Sequence, residues 1–271
     1  MSAVRHTEEV AGAAITVDLD AGGRLSSWRI GGNELLVQRH ETDDDVHGWG
    51  AFPMVPWAGR VRRGRFSFDG RDVTLPLGMP PHAIHGTAHR RPWRLLDAGE
   101  GSVELTTDLG PDWPWTGHTS QRFGLDAGSL TQTITVRNDG DSAMPVSAGW
   151  HPWFRRRVAD AGVAIDLHAA AMWTRDDEGI PTGARTAPSP GPWDDCFTDL
   201  AGPIRLTWPG VVTLEVRSDV RHVVVYDQRR HAVCVEPQSA PPDAHNLGID
   251  LASVAPGAEW SVHSTWRWRP G

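Results

Sequence analysis

Apolar residues recur in this chain at a spacing of two, and almost nowhere at three or four. Ile15, Val17 and Leu19 alternate with polar neighbours, as do Val103 and Leu105, and Leu130 to Val136 interleave with threonines. Val212 to Val216, Val223 to Val225, Val233 to Val235 and Trp260 to Trp266 extend the series. A period of two places alternate side chains on opposite faces, one buried and one solvated, as antiparallel sheets require. Between these runs lie Gly22-Gly23, Gly31-Gly32-Asn33, Asp69-Gly70 and Asn138-Asp139-Gly140-Asp141, residues that turn a chain sharply. Asp69-Gly70, between Arg65-Phe66-Ser67-Phe68 and Val73-Thr74-Leu75, reads as a hairpin turn. No segment carries a helical apolar stripe through three turns, and 29 glycines and 21 prolines oppose long helices.

The expectation is an all-β fold, a large antiparallel β-sandwich occupying residues 1–271 as a single domain. Pro188 to Pro192 reads as a surface loop, because strand patterns continue on both sides. A net charge of −8 disfavours a nucleic-acid partner, which needs clustered cations, and disfavours an anionic membrane surface. Met1 to Asp20 has early acidic residues and too short an apolar stretch for a signal peptide or a span. With only two cysteines, Cys196 and Cys234, a reduced cytoplasmic setting is expected. All 26 basic residues are arginine. Genomic base composition is enough to explain that bias. Whatever its origin, it removes Schiff-base and pyridoxal-phosphate chemistry and the lysine-dependent nucleotide loop.

Four polar-aromatic islands interrupt the strands: Pro56 to Phe66, His82 to Thr87 with Trp93 downstream, Gly149 to Phe154, and Val235 to Asn246. In the last, Glu236 closes the run Val233-Cys234-Val235 and precedes Pro237, where a strand should stop or bulge. A carboxylate at the end of a buried strand suits a general base, and a glutamate at a wet sheet edge fits the same pattern. His151, between tryptophans, is either a proton donor or a core histidine. His82, His85 and His89 have a spacing that invites a metal, but no helix or zinc-protease motif accompanies them. Asp43-Asp44-Asp45 reads as a solvated loop, with metal binding as its alternative. Of the 14 tryptophans, Trp57, Trp93, Trp150 and Trp153 lie in or near islands, where a flat ring can cover the C–H face of a pyranose.

These islands, in this order, resemble the aldose 1-epimerase (galactose mutarotase-like) superfamily, in particular its bacterial branch. The matching segments are Arg60-Val61-Arg62-Arg63-Gly64-Arg65-Phe66, Ile84-His85-Gly86, Gly149-Trp150-His151-Pro152-Trp153-Phe154 and Glu236-Pro237-Gln238-Ser239-Ala240-Pro241-Pro242-Asp243-Ala244. The resemblance runs from about Asn33 to the C-terminus. It implies a β-sandwich with an open sugar-binding cleft, acting without metal or organic cofactor. It further implies Glu236 as general base and His151 as general acid. Arg60, His85 and Asp194 would bind the sugar, with Asp195 competing for the aspartate role, and Trp93 and Gln238 complete the expected substrate-binding set. Gly59 stands where asparagine is common, Thr87 where many members have glycine, and Trp153 where many have tyrosine.

The resemblance thus implies interconversion of the α and β anomers of a free aldohexose, and both a monomer and a homodimer stay open. In the expected resting state, carboxylate Glu236 faces imidazolium His151. A hexose-6-phosphate mutarotase would need a phosphate clamp, for which Arg62, Arg63, Arg90 and Arg91 are available. A non-catalytic sugar-binding protein uses the same aromatic surfaces. A glycosidase would ask for a second carboxylate that no motif supplies.

Overall fold

The computed structural model describes residues 4–42 and 45–271. Among the described residues, two large antiparallel sheets dominate. The eleven-stranded sheet runs in the order Arg5–Val10, Ala13–Asp18, Arg24–Ile30, Ala51–Met54, Gly149–Arg155, Ala232–Gln238, His222–Tyr226, Asp194–Leu200, Ala169–Arg175, Pro181–Thr186, with Asn33–Glu34 beside Arg24–Ile30. The eight-stranded sheet runs Arg94–Gly99, Ser102–Asp108, Gly117–Leu125, Ser129–Asn138, Glu259–Pro270, Val212–Ser218, Ile204–Trp208, Ala164–Asp166. The fold is that expected from alternation. The Asp69-Gly70 hairpin forms with Arg65 opposite Thr74. The α-helix among the described residues is one short turn, Ala244–Leu247. No described helix is long and apolar enough to cross a membrane.

The sheets pack face to face over a contiguous apolar core. Trp28 and Phe154 from the larger sheet meet Trp266 of the smaller one at ring separations of 5.3 Å each. Aromatic rings bury large areas with few rotatable bonds, so a few tryptophans fix the spacing between sheets. Ser129–Asn138 shows the expected alternation of buried and more exposed residues. Ala232–Gln238 does not, because all seven of its residues are buried. Its odd-numbered Val233 and Val235 join the inter-sheet core. Its even-numbered residues face away from the second sheet, and of these Glu236 lines a cavity.

Pro237 does not end its strand. Val223 pairs with Pro237 and His222 with Gln238 across the neighbouring strand, so the ladder on that side holds the direction. On the other side Gly149 pairs with Gln238 and Trp153 with Cys234. Proline removes a donor, but flanking pairs keep the strand straight.

Gly149 lies at the tightest point of this pairing. A Cβ there would meet the Pro237 carbonyl oxygen at 2.3 Å and Gln238 Cα at 2.8 Å. Backbone on both sides leaves no flexible group to yield. Gly149→Ala should cost about 1–3 kcal/mol through overpacking, read as a lowered urea midpoint. A wild-type midpoint would show that the two strands separate freely.

Candidate active site

The register of the larger sheet builds the site. With Gly149 opposite Gln238 and Trp153 opposite Cys234, the residues midway, His151 and Glu236, face each other across adjacent strands. The row continues outward, since Phe52 pairs with His151, Val224 with Glu236, and Cys196 with Val224. Two residues along lies a second row of Trp153, Cys234, Tyr226 and Asp194. Since strand side chains two apart share a face, both rows point the same way. All residues of the two rows but Phe52 and Cys234, which are buried in an adjoining apolar cluster, line the floor of a cavity of about 380 Å³, a size suited to a small ligand.

His151 Nε2 and Glu236 Oε1 are 3.2 Å apart, with side chains 8% and 4% exposed. The imidazole is sandwiched between Phe52, stacked at 4.6 Å, and Trp153, stacked at 5.3 Å. His85 meets it edge-on at 4.8 Å. Its Nδ1 has no hydrogen-bond partner, so aromatic packing rather than a carboxylate behind the ring fixes its plane. Burial pushes the Glu236 carboxyl well above the usual carboxylate range, nearby Asp194 adding to the rise and Arg60 opposing it. Burial also brings His151 down to about 3, with His47 contributing. A carboxylate–imidazolium pair this deep must pay the desolvation of both ions. Both shifts favour placing the pair's proton on the carboxyl beside a neutral imidazole, against the charged pair expected from sequence. Both descriptions hold the same number of protons and differ only in where one proton sits.

Above the floor, Arg60, His85 and Asp194 line the cavity as the sequence suggested. Asp194 Oδ2 lies 3.1 Å from Arg175 Nη1 and 3.9 Å from Arg60 Nη2. Asp195 instead meets Arg175 Nε at 3.0 Å, with only 13% of its side chain exposed. Asp194 thus faces the cavity, and Asp195 braces the arginine. His85 has φ of 60°, an uncommon conformation for a residue with a β-carbon, and its N–H donates to the Gly59 carbonyl at 2.9 Å. Gly59 itself has φ of 66° and abuts Pro242. Asparagine tolerates that left-handed region better than most residues, but a Cβ here would meet Pro242 Cβ and Cγ at 2.8 Å, so in this chain the position fits glycine.

Two expected sugar contacts are not in the cavity wall. Trp93 is buried in the core, its Nε1 donating to the Ala88 carbonyl at 3.0 Å and its ring against Gly23. Gln238 is wholly buried behind the floor, with Nε2 3.8 Å from Cys196 Sγ. Trp57 and Trp150 are also core residues, which leaves Trp153 as the cavity-lining member of the four tryptophans considered. The proposed phosphate clamp is dispersed. Arg62 pairs with Asp176 at 2.5 Å and with Glu178 at 2.8 Å, Arg63 pairs with Glu178, and Arg90 and Arg91 lie outside this cavity. His82, His85 and His89 do not converge on one point. His82 Nδ1 accepts from the Arg63 backbone, while His89 Nε2 faces His47 Nε2 at 3.1 Å. Of the acidic run, Asp43 and Asp44 lie outside the described residues, and Asp45 lines the cavity and accepts from the His47 backbone N–H.

Arg175, His47 and Tyr226 line the cavity and were missed in the sequence. None sits in an island; sheet register and loop packing bring them in. Asp243 belongs to the segment Glu236 to Ala244. Its N–H donates to the Arg60 carbonyl and its Oδ1 accepts from the Arg62 N–H, at 2.7 and 2.8 Å. It clamps the segment that carries Arg60.

A model of the aldose 1-epimerase family matches residues 12–267. The chain belongs to the aldose 1-epimerase family. Among its relatives, the Escherichia coli uncharacterized protein YphB is 28% identical over 246 residues, covering 79% of this chain and 83% of its own. Rat galactose mutarotase is 25% identical over 160 residues, covering 55% of this chain and 44% of its own. The crystal structure of a putative aldose 1-epimerase from Escherichia coli K12 superposes with a TM-score of 0.87 at 22% identity, covering 99% of each chain. That similarity shows the shared fold.

The burial of imidazoles has a consequence for stability. His85, His89, His151 and His245 are all held neutral by burial, the last two down to about 3, against an ordinary value of 6.5. Below pH 6.5 the unfolded chain takes up protons that the folded chain refuses, so stability falls with acidification. Each histidine contributes at most ~1.4 kcal/mol per pH unit. Glu236 and Asp243, with raised values, act oppositely as pH rises above the ordinary carboxylate range, but they are two groups against these four and His47, His82 and His222, which burial lowers as well. The urea midpoint should therefore drop clearly between pH 7 and pH 5. An unchanged midpoint would mean that these imidazoles are accessible to protons in the folded chain.

Proposed function

We propose that this protein is an aldose 1-epimerase that interconverts the anomers of a free, uncharged aldose. One observation carries the reading. A carboxyl and an imidazole lie 3.2 Å apart on the floor of a sugar-sized cavity, in a chain of this family. Anomer exchange needs one group to take a proton from O1 and another to give one to O5, and little else.

The pair holds a single movable proton. A sugar seated over Glu236 displaces cavity water and offers hydroxyl donors to the carboxylate. Together with Arg60, these favour transfer of the proton to His151. Carboxylate Glu236 then removes the O1 proton while His151 protonates O5. The C1–O5 bond breaks as the C1=O1 double bond forms, giving the open-chain aldehyde. Rotation about C1–C2 presents the opposite carbonyl face. His151 takes back the proton from O5, the C1–O5 bond re-forms, and Glu236 returns its proton to O1. Asp194, oriented by Arg175, accepts hydroxyl hydrogen bonds, and His85 and Arg60 hold the ring side of the sugar. Trp153 packs against a C–H face.

A phosphorylated sugar fits this wall less well. Arg60 and Arg175 are shared with Asp194, and Arg175 also with Asp195, so these two cations are already balanced by carboxylates, which leaves Arg229 as the other arginine in the lining. The rate constant kcat/KM should be higher for glucose or galactose than for glucose 6-phosphate, measured by saturation-transfer NMR of anomer exchange. The reverse order would favour the hexose-phosphate reading.

Glu236→Gln and His151→Ala should each lower kcat by about 10²–10⁴-fold. Wild-type exchange in the glutamine variant would remove the carboxyl from the mechanism. Because burial holds His151 near 3, kcat/KM should show no inflection around pH 6.5 after subtraction of the spontaneous rate. The lower limb should appear only as pH approaches that value, and the upper limb where Glu236 finally loses its proton. A limb centred near 6.5 would mean that the imidazole titrates as it does in water.

A further inference from the structure

Cys234 takes no part in the reaction above, yet it stands beside both proton-transfer groups. It precedes Glu236 by two residues on the same strand and so shares its face, and its cross-strand partner Trp153 is two residues from His151. The ligating atoms of His151, Cys234 and Glu236 all lie within 4.8 Å of one another, and all three residues are buried. We propose that these three residues form an inhibitory site for a borderline-soft divalent cation, with zinc as its natural occupant.

The donor set is one imidazole nitrogen, one thiolate and one carboxylate oxygen, the three ligand types that zinc takes in tetrahedral sites. A tetrahedral zinc with ordinary bond lengths separates nitrogen and oxygen ligands by roughly 3.3 Å and sulfur from either by roughly 3.6 Å. His151 Nε2 and Glu236 Oε1 already stand at 3.2 Å. The sulfur needs to approach by at most about an ångström, within the reach of a side-chain rotation. Three protein ligands leave a fourth position, which points into the cavity, where water or a sugar hydroxyl completes the shell. Among the described residues the Glu236 carboxylate has no other hydrogen-bonding or ion-pairing partner than His151, and no hydrogen bond holds the Cys234 thiol. A cation therefore displaces no stabilising network. Binding releases the thiol proton and the proton shared by the pair to solvent, leaving a thiolate, a carboxylate and a neutral imidazole around the ion.

The metal site stands on geometry alone, whereas its inhibitory effect rests on the epimerase reading. An ion held by His151 and Glu236 leaves neither free to move a proton, so zinc and turnover exclude each other.

The test uses the full chain, stripped with a chelator and titrated with zinc and, separately, with cobalt(II) as a spectroscopic probe. Cobalt should produce a thiolate-to-metal charge-transfer absorption in the near ultraviolet, and zinc should abolish it by displacement. Zinc should inhibit anomer exchange reversibly, with full recovery on adding chelator. Cys234→Ala should lose the absorption and need at least tenfold more zinc for half inhibition. Cys234→Ser, closer in volume, should likewise lose the absorption and keeps the comparison usable if alanine loosens the floor. Cys196→Ala should retain both responses. Absence of the cobalt absorption in the wild type, or its persistence without Cys234, overturns the site. If the absorption forms as expected but no sugar is turned over, the metal site holds and the epimerase reading fails.

Discussion

Everything at this site follows from how two strands are paired. Gly149–Arg155 and Ala232–Gln238 lie side by side in a register that sets His151 opposite Glu236. A slip of one residue would send one of the two side chains into the inter-sheet core and the other into the cavity. The register is pinned from both faces. Trp150, Phe154, Val233 and Val235 belong to the inter-sheet core, and a side chain at Gly149 would collide with the facing backbone. The same packing that stabilises the sandwich therefore aligns the pair.

Burial then determines the chemistry of that pair. A solvated glutamate and histidine at neutral pH would be a carboxylate and a largely neutral imidazole, with no proton to spare between them. Removing both from water raises the carboxyl's affinity for a proton and lowers the imidazole's. The pair keeps one proton that either member can hold, at little cost in net charge. The aromatic sandwich of Phe52 and Trp153 sustains this by excluding water and fixing the ring plane. Hydrogen bonding contributes differently, further from the floor, where Asp243 fixes the Arg60 segment and Asp195 fixes Arg175.

The same burial explains why a thiol can sit unnoticed beside the site. Cys234 behaves as a small apolar residue in the sheet, its thiol kept protonated by the lack of solvent and by the adjacent carboxyl. It becomes chemically relevant only toward an ion able to replace that proton. A sheet face that repeats its side chains every two residues will place such a group next to a functional one whenever the strand carries both.

The sequence by itself determined the strand periodicity, the hairpin at Asp69-Gly70 and the surface loop at Pro188 to Pro192, and it offered His151, Glu236, Arg60, His85 and Asp194 as candidates that the fold gathers around one cavity. Those features are local: alternation and turn chemistry act within a few residues, and the islands are contiguous. Sequence could not distinguish Trp153, which lines the cavity, from Trp93, which fills the core, because both are tryptophans among polar neighbours. Nor could it show that a strand passes through Pro237, since the hydrogen bonds that carry it come from a strand ending at Tyr226. Arg175 and Tyr226 reach the site only through pairing between segments distant along the chain. The charge state of the central pair was likewise out of reach, because desolvation depends on the whole assembled sheet and its covering loops. Local pattern sets which residues are available, and long-range register and burial decide what they face and where their protons reside.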